Sequence, residues 1–260
     1  MDGPQFFETH CHLNHARFSS DCEEVLARAR TAGVSQFLII GYDRDSSRRA
    51  VEMARPEEGL YAAAGIHPHD AETWSGEVEA ELRKLARDGS IVAIGEIGLD
   101  FYRDLSPRDA QYAAFRAQLE LAAELSLPIV VHTRESVSPS LDEIEPFARS
   151  GLRGIMHCWS GTAAEARRAR SLGLLLGIGG VLTYRNPGEL PEVVAEAPLE
   201  SLVLETDCPY LTPVPHRGGR NEPAYIPLIA ERLAQIKGSS VEEVAEATCL
   251  SARTALGLGA

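Results

Sequence analysis

Phe6-Phe7-Glu8-Thr9-His10-Cys11-His12-Leu13 sets two histidines one residue apart at the end of a short apolar run. On an extended backbone, residues two apart share a face, so His10 and His12 aim together while Cys11 points away. Two imidazoles converging at a strand end are half of a transition-metal site. The same pair also suits two ordinary polar residues at a strand end. What the rest of the chain supplies decides between the two.

Outward from this stretch, short apolar runs alternate with longer amphipathic segments. The runs are Phe6–Thr9, Gln36–Ile40, Tyr61–Ala64, Ile91–Gly95, Pro128–Val131, Gly154–Met156, Leu174–Ile178 and Leu202–Glu205. Each has strand length and the Ile, Val, Leu and Ala content of buried parallel strands. Helical patterns lie between them. Cys22–Ala32 stops at Gly33, and Pro107–Leu125 opens after Ser106 as N-cap. Capping boxes at Thr162…Glu165 and Ser240…Glu243 begin two more helices, Ala163–Leu172 and Val241–Leu256. Eight strands in alternation with helices predict an α/β chain folded as a closed (β/α)8 TIM barrel, with an open doubly wound sheet as the alternative. No low-complexity stretch, short repeat or composition break marks a linker, so residues 1–260 are expected to form a single domain.

Metal-competent residues recur at the C-terminal ends of these runs. His10 and His12 follow the first, His67 and His69 the third, and Glu96 the fourth. His132 follows the fifth, His157 the sixth, and Asp207 the eighth. In a (β/α)8 barrel these ends share one mouth, where active sites lie. Of the eight histidines only His216 stands away from such a position, and His15 is the weakest of the others. Four imidazoles and two or three carboxylates exceed the needs of one tetrahedral ion. They suit two divalent ions, Zn, Mn or Mg, roughly 3.5–4 Å apart. Glu96 is the expected bridge, with His10, His12 and Asp207 around one ion and His132 and His157 around the other.

Bulk composition is that of a soluble globular protein, 44% hydrophobic and 24% charged, with ample length for a large core. A formal net charge of −13 excludes a non-specific nucleic-acid coat but not a nuclease, whose acidic centre divalent cations would neutralise. Five cysteines without a C-x-x-C pair argue against a disulfide framework and a zinc ribbon. No apolar run approaches membrane-spanning length, and the N-terminus lacks a signal pattern. A cytoplasmic monomer without membrane contact is expected.

Several motifs in order carry a resemblance. Thr9-His10-Cys11-His12-Leu13, Gly65-Ile66-His67-Pro68-His69, Gly95-Glu96-Ile97-Gly98-Leu99-Asp100-Phe101-Tyr102 and His132-Thr133-Arg134-Glu135 come first. His157-Cys158-Trp159-Ser160-Gly161, Glu205-Thr206-Asp207-Cys208-Pro209-Tyr210-Leu211 and Arg220-Asn221-Glu222-Pro223 follow. With them the chain resembles, nearly end to end, the TatD family of metal-dependent hydrolases, a branch of the amidohydrolase-like barrels. The resemblance implies a two-metal site at His10, His12, Glu96, His132, His157 and Asp207. It also implies deoxyribonuclease activity, usually 3′→5′ on single-stranded DNA. Glu8 and Asn14 stand where the family usually has Asp, Trp159 where Phe is usual, and Cys208 where Ala is usual. None of these removes a ligand; they bear on pocket shape and substrate choice.

The expected chemistry is hydrolysis of a phosphodiester by water activated between two metals, with Asp207 as ligand and general base and Glu96 as bridge. Glu205, two residues before Asp207, is a candidate support for the ligands. His67 and Arg134 are candidate phosphate contacts, against a loop cap for the first and an ion pair with Glu135 or Asp100 for the second. His69 reads as structural. The proline-rich stretch Pro209–Pro223 carries Arg217 and Arg220, a candidate clamp on the substrate. Two rival functions remain. One is an ester or amide hydrolase, such as a D-aminoacyl-tRNA deacylase; the other is an interaction module whose metal is only structural.

Overall fold

The computed structural model describes residues 3–259, and the alternation of apolar runs resolves into eight strands. These are β1 (Phe6–Cys11), β2 (Val34–Ile40), β3 (Leu60–Ala64), β4 (Ala93–Asp100), β5 (Ile129–Arg134), β6 (Gly154–Met156), β7 (Leu174–Ile178) and β8 (Leu202–Leu204). Nine helices are described: α1 (Cys22–Thr31), α2 (Arg44–Ala54), α3 (Gly76–Arg87), α4 (Arg108–Leu125) and α5 (Val137–Ala148), then α6 (Ala163–Ser171), α7 (Leu190–Glu196), α8 (Ile226–Lys237) and α9 (Val241–Leu256). The strands pair in chain order, β1 to β8, all parallel. This is the expected (β/α)8 barrel.

Both capping boxes form as read, Thr162 with Glu165 and Ser240 with Glu243. The start of α4 differs. Pro107 occupies its N-cap, and the Ser106 hydroxyl donates to the His69 carbonyl at 2.8 Å. Ser106 therefore ties two mouth loops together instead of capping its helix.

Closure between β1 and β8 relies on side chains as much as on the ladder. The Thr9 hydroxyl donates to Leu204 O at 2.9 Å. Glu8 Oε1 accepts from Thr206 N at 2.9 Å, and Glu8 Oε2 accepts from the Thr206 hydroxyl at 2.6 Å. Beyond the end of β8, Asp207 N donates to His10 O and His12 N to Cys208 O, both at 2.9 Å.

Period-two alternation along the strands divides the core. Phe6, Phe37, Ile39, Ile129 and Leu204 pack against the surrounding helices. Phe7, Leu38, Ile40, Ala63, Ala93, Val130, Ile155 and Val203 fill the barrel interior. Ala252 and Leu256 of α9 join that inner cluster and close the end opposite the histidine-bearing strand ends. No helix among the described residues is long and apolar enough to cross a membrane.

Candidate metal centre

The inward rows of the barrel continue straight into the site. His132 stands two residues beyond Val130, His157 two beyond Ile155, and Glu205 two beyond Val203. Each leading residue belongs to the interior cluster, so each polar residue inherits its inward direction. Glu96 reaches the mouth differently. Ile94 and Ile97, three apart, both face the helices, and the pairing of β4 with β5 shifts between them. That irregular step turns Glu96 inward where strict alternation would have aimed it at a helix. Asp207 lies past the end of β8 at φ 58°, a left-handed conformation that aspartate tolerates better than most residues. Its N–H to His10 O and its carbonyl, accepting from Tyr210 N at 2.8 Å, hold it there.

Glu96 is central, and its two oxygens face different histidines. Oε2 lies 3.5 Å from His10 Nε2 and 3.8 Å from His12 Nε2. Oε1 lies 3.1 Å from His132 Nδ1, 3.6 Å from His67 Nε2 and 4.0 Å from His157 Nε2. Asp207 Oδ1 stands 3.4 Å from His12 Nε2 and 4.0 Å from both His10 and His157 Nε2. His10 and His12 bring their Nε2 atoms to 3.3 Å, and the rings of His10 and His157 stack at 3.4 Å between centroids. This donor set suits a divalent cation. Two bonds of about 2.1 Å from nitrogens at that separation meet at roughly 100°, close to the angle of a tetrahedral site.

Two further carboxylates fix which ring nitrogen faces the centre. Glu205 Oε1 lies 2.9 Å from His157 Nδ1 and accepts from Cys158 N at 2.7 Å, leaving His157 Nε2 directed inward. Asp100 Oδ2 lies 3.2 Å from His132 Nε2 and 2.9 Å from His69 Nε2, leaving His132 Nδ1 directed at Glu96. Asp100 Oδ1 is held by the N–H groups of Tyr102 and Arg103 at 3.0 and 2.7 Å. Carboxylates behind imidazoles in this way orient metal ligands and raise their basicity. Gly177 makes room for one of them, since a Cβ there would fall 2.3 Å from Glu205 Oε2.

Electrostatics reflect the crowding. Burial resists ionisation of Glu96, yet His10, His67 and His132 hold its carboxyl well below the ordinary value. Burial likewise opposes Asp207, and His12 with His157 brings it down. Burial would lower His157, but Glu205, Asp207 and Glu96 push it up to about 10. His132 rises for the same reason, through Asp100 and Glu96. His10 and His67 go the other way: burial and a neighbouring histidine press them below the usual histidine range. The carboxylates thus favour the charged forms of His132 and His157, where burial alone would oppose them.

The other expected residues divide. His67 is buried at the centre, and its Nδ1 accepts from His69 N at 3.1 Å. The neutral ring therefore carries its proton on Nε2, facing Glu96, as a donor and not a lone pair. His69 is taken up by Asp100, in keeping with a structural role. The Arg134 guanidinium pairs with neither Glu135 nor Asp100; it lies 4.4 Å over the Tyr102 ring. Arg217 lies 3.7 Å over Tyr184. Arg220, expected beside it in a clamp, instead donates to both oxygens of Asp21 at 2.8 and 2.5 Å and to Arg17 O at 2.7 Å. It latches the mouth loop to the start of α1, and Glu222 ties the loop to the last turn of that helix through Arg28 at 2.6 Å.

Asp100 enters the sequence reasoning only within its motif and as a candidate partner of Arg134, and Asn221 only within its motif and loop. Asn221 is fully buried; its Nδ2 donates to Thr206 O and Tyr210 O at 2.8 and 2.5 Å, bracketing Asp207. An Asp following the inward residues of a strand is the signal that could have flagged Asp100.

Two cavities flank the centre and share His132, His157 and Asp207. One, of about 490 Å³, is walled by Tyr42, Asp70, Leu105 and Tyr210. The other, of about 760 Å³, runs past Thr133, Arg134, Ser160 and Thr162. The centre thus sits in the floor of a continuous groove.

Residues 7–257 match the family described as TatD related DNase. The chain is 40% identical to a Bacillus subtilis protein named uncharacterized metal-dependent hydrolase YabD, over 95% of this chain and 97% of that one. It is also 40% identical to the 3′-5′ ssDNA/RNA exonuclease TatD of Erwinia amylovora, over 97% of this chain and 100% of the relative. The crystal structure of YJJV, a TatD homologue from Escherichia coli K12, superposes with a TM-score of 0.90 at 30% identity, covering 96% of each chain. With this barrel and these motifs, the chain is an enzyme of the TatD family, hydrolases of the metal-dependent class.

Proposed function

We propose that this protein is a 3′→5′ exonuclease on single-stranded nucleic acid, working with two divalent ions. The observation that carries the two-ion reading is the division of Glu96, with Oε2 toward His10 and His12 and Oε1 toward His132 and His157. His10, His12 and Asp207 would hold one ion and His132 and His157 the other, with Glu96 common to both. Zn, Mn and Mg are the candidates for such nitrogen and oxygen donors. When bound, the ions supply Lewis acidity toward a phosphoryl oxygen and toward the attacking water. The nuclease relatives support the substrate; they favour a phosphodiester over the acyl-ester alternative.

The chain's own groups take definite parts. Asp207 Oδ1, kept ionised by its histidine neighbours, accepts the proton of the attacking water. His67, neutral with its proton on Nε2, donates to a non-bridging phosphate oxygen. Arg134 and Arg217 present guanidinium faces to the strand, and Arg220 acts through the loop that it latches. Glu205 and Asp100 keep His157 and His132 in the ligating tautomers. The whole chain, 1–260, is read as one such unit.

The test is a time course on a 5′-labelled single-stranded DNA oligonucleotide with Mn²⁺ or Mg²⁺, beside a chelated control and Glu96→Gln. A ladder shortening from the 3′ end, absent with chelator and in the variant, is expected. Full turnover and normal occupancy by two ions in Glu96→Gln would sink the bridging role.

A further inference from the structure

Four of the five large hydrophobic side chains that stay exposed among the described residues sit on loops at the mouth: Tyr102, Leu105, Tyr210 and Val214. Tyr210 is 46% exposed and Leu105 62% exposed, and both line the 490 Å³ cavity. Tyr42 lines it too. The Tyr42 and Tyr210 rings stand edge-on to His12, at 5.4 and 6.4 Å between centroids, so both lie immediately beside the metal centre. Apolar faces left open to water next to a catalytic centre invite a flat apolar group. The same cavity carries Asp70, half-buried, whose carboxylate repels phosphate but accepts a hydroxyl, with Arg103 also in its lining.

The cavity on the other side carries Glu135 and Glu165 as well as cationic and hydroxyl groups. Arg134 lines it, and so does Thr133, whose buried hydroxyl finds no hydrogen-bond partner among the described residues. A guanidinium and a free hydroxyl suit backbone phosphate.

We propose that the cavity between Tyr42, Tyr210 and Leu105 receives the 3′-terminal nucleoside, its base on the tyrosines and its sugar hydroxyl on Asp70, while the upstream strand leaves past Thr133 and Arg134. The assignment rests on the exonuclease reading and adds a direction to it. The scissile phosphate lies over the metal centre with one nucleoside on the tyrosine side. Water bonds to the phosphorus and the bond to the upstream 3′-oxygen breaks. Each turn releases that nucleoside as its 5′-monophosphate and leaves a new 3′-hydroxyl on the strand.

The metal-loaded protein is given two 5′-labelled single strands that differ only in a 3′-hydroxyl or 3′-phosphate end. Wild type degrades the hydroxyl-ended strand at least about tenfold faster, as expected where a terminal phosphate meets the Asp70 carboxylate within one Debye length. Asp70→Asn narrows that ratio. Tyr210→Ala raises KM for the hydroxyl-ended strand about tenfold, the low end of what losing one base stack costs. Tyr210→Phe restores it, because the ring and not the hydroxyl bears the base. Equal rates on the two ends in wild type, or a KM for Tyr210→Ala equal to wild type, overturn the assignment while leaving the nuclease reading in place. A strand left whole by the wild-type enzyme sinks both.

Discussion

Asn221→Asp changes one NH₂ group to oxygen and almost nothing in shape, yet it is expected to cost about 3–5 kcal/mol. Asn221 is fully buried and spends both Nδ2 protons on carbonyls, Thr206 O at 2.8 Å and Tyr210 O at 2.5 Å. Its Oδ1 accepts from Glu222 N at 2.9 Å, which aspartate can still do. In the variant, an oxygen faces two carbonyl oxygens at those separations. Two buried acceptors lose their donors, at about 1–3 kcal/mol each, and a charge is added where water cannot reach it. The new carboxyl escapes part of the cost by binding a proton, so its folded pKa rises above the ordinary value of about 4. The folded state then holds more protons than the unfolded state above pH 4. By linkage the variant loses stability relative to wild type as pH rises through that window. Urea unfolding of both proteins in chelator, at pH 5 and pH 8, measures the gap. It is expected to be larger at pH 8, and metal affinity should fall with it, because Thr206 and Tyr210 flank Asp207. A gap below about 1 kcal/mol, equal at the two pH values, would refute the role given to this side chain.

Metal-free wild type should lose stability as pH rises from about 6.5 toward 10. His157, pushed up to about 10, and Glu8, which burial pushes up to about 8 against the hydrogen bonds from Thr206, both bind protons more tightly folded than unfolded. Unfolding midpoints in chelator that stay flat or rise between those values would contradict this. Glu205→Gln should remove most of the His157 part of that slope and weaken metal binding by about 10–100-fold, read by titration calorimetry. In Gly177→Ala the new methyl would meet Glu205 Oε2 at 2.3 Å. About 1–3 kcal/mol of stability should be lost, and native-like metal affinity in that variant would show that the carboxylate can retreat freely. Arg220→Ala should cost about 1 kcal/mol or less, its ion pair being partly exposed. Arg217→Ala should instead act on KM for the strand; a reversed pattern would exchange the two roles.

The barrel was legible because buried parallel strands write themselves as short apolar runs, and each of the eight runs is a strand. The candidate ligands were legible because His132 and His157 extend an inward row whose parity can be counted from Val130 and Ile155. Glu96 could be named but not aimed, since the irregular step between Ile94 and Ile97 leaves no mark in the alternation. Arg220 shows where composition misleads. Two arginines on one proline-rich loop look alike in sequence, and only folding brings Asp21 against one of them. Ser106 fails for a related reason, its hydroxyl drawn off to a carbonyl from another loop. Partnerships between residues far apart in the chain are what local pattern cannot hold.

The seam between β1 and β8 has a consequence for how the enzyme comes into being. His10 and His12 emerge from the ribosome well ahead of Asp207, whose N–H hangs on His10 O and which follows nearly two hundred residues later. Synthesis runs at about 5–20 residues per second, so the early histidines wait on the order of ten seconds or more for their partner. During that wait the nascent chain is surrounded by messenger and ribosomal RNA, and its half-site has neither Asp207 nor the Thr206 hydroxyl that binds Glu8. Truncated products share the defect: any fragment that ends before the last strand lacks Asp207 and the closure together. Hydrolytic power is thereby tied to closure of the barrel.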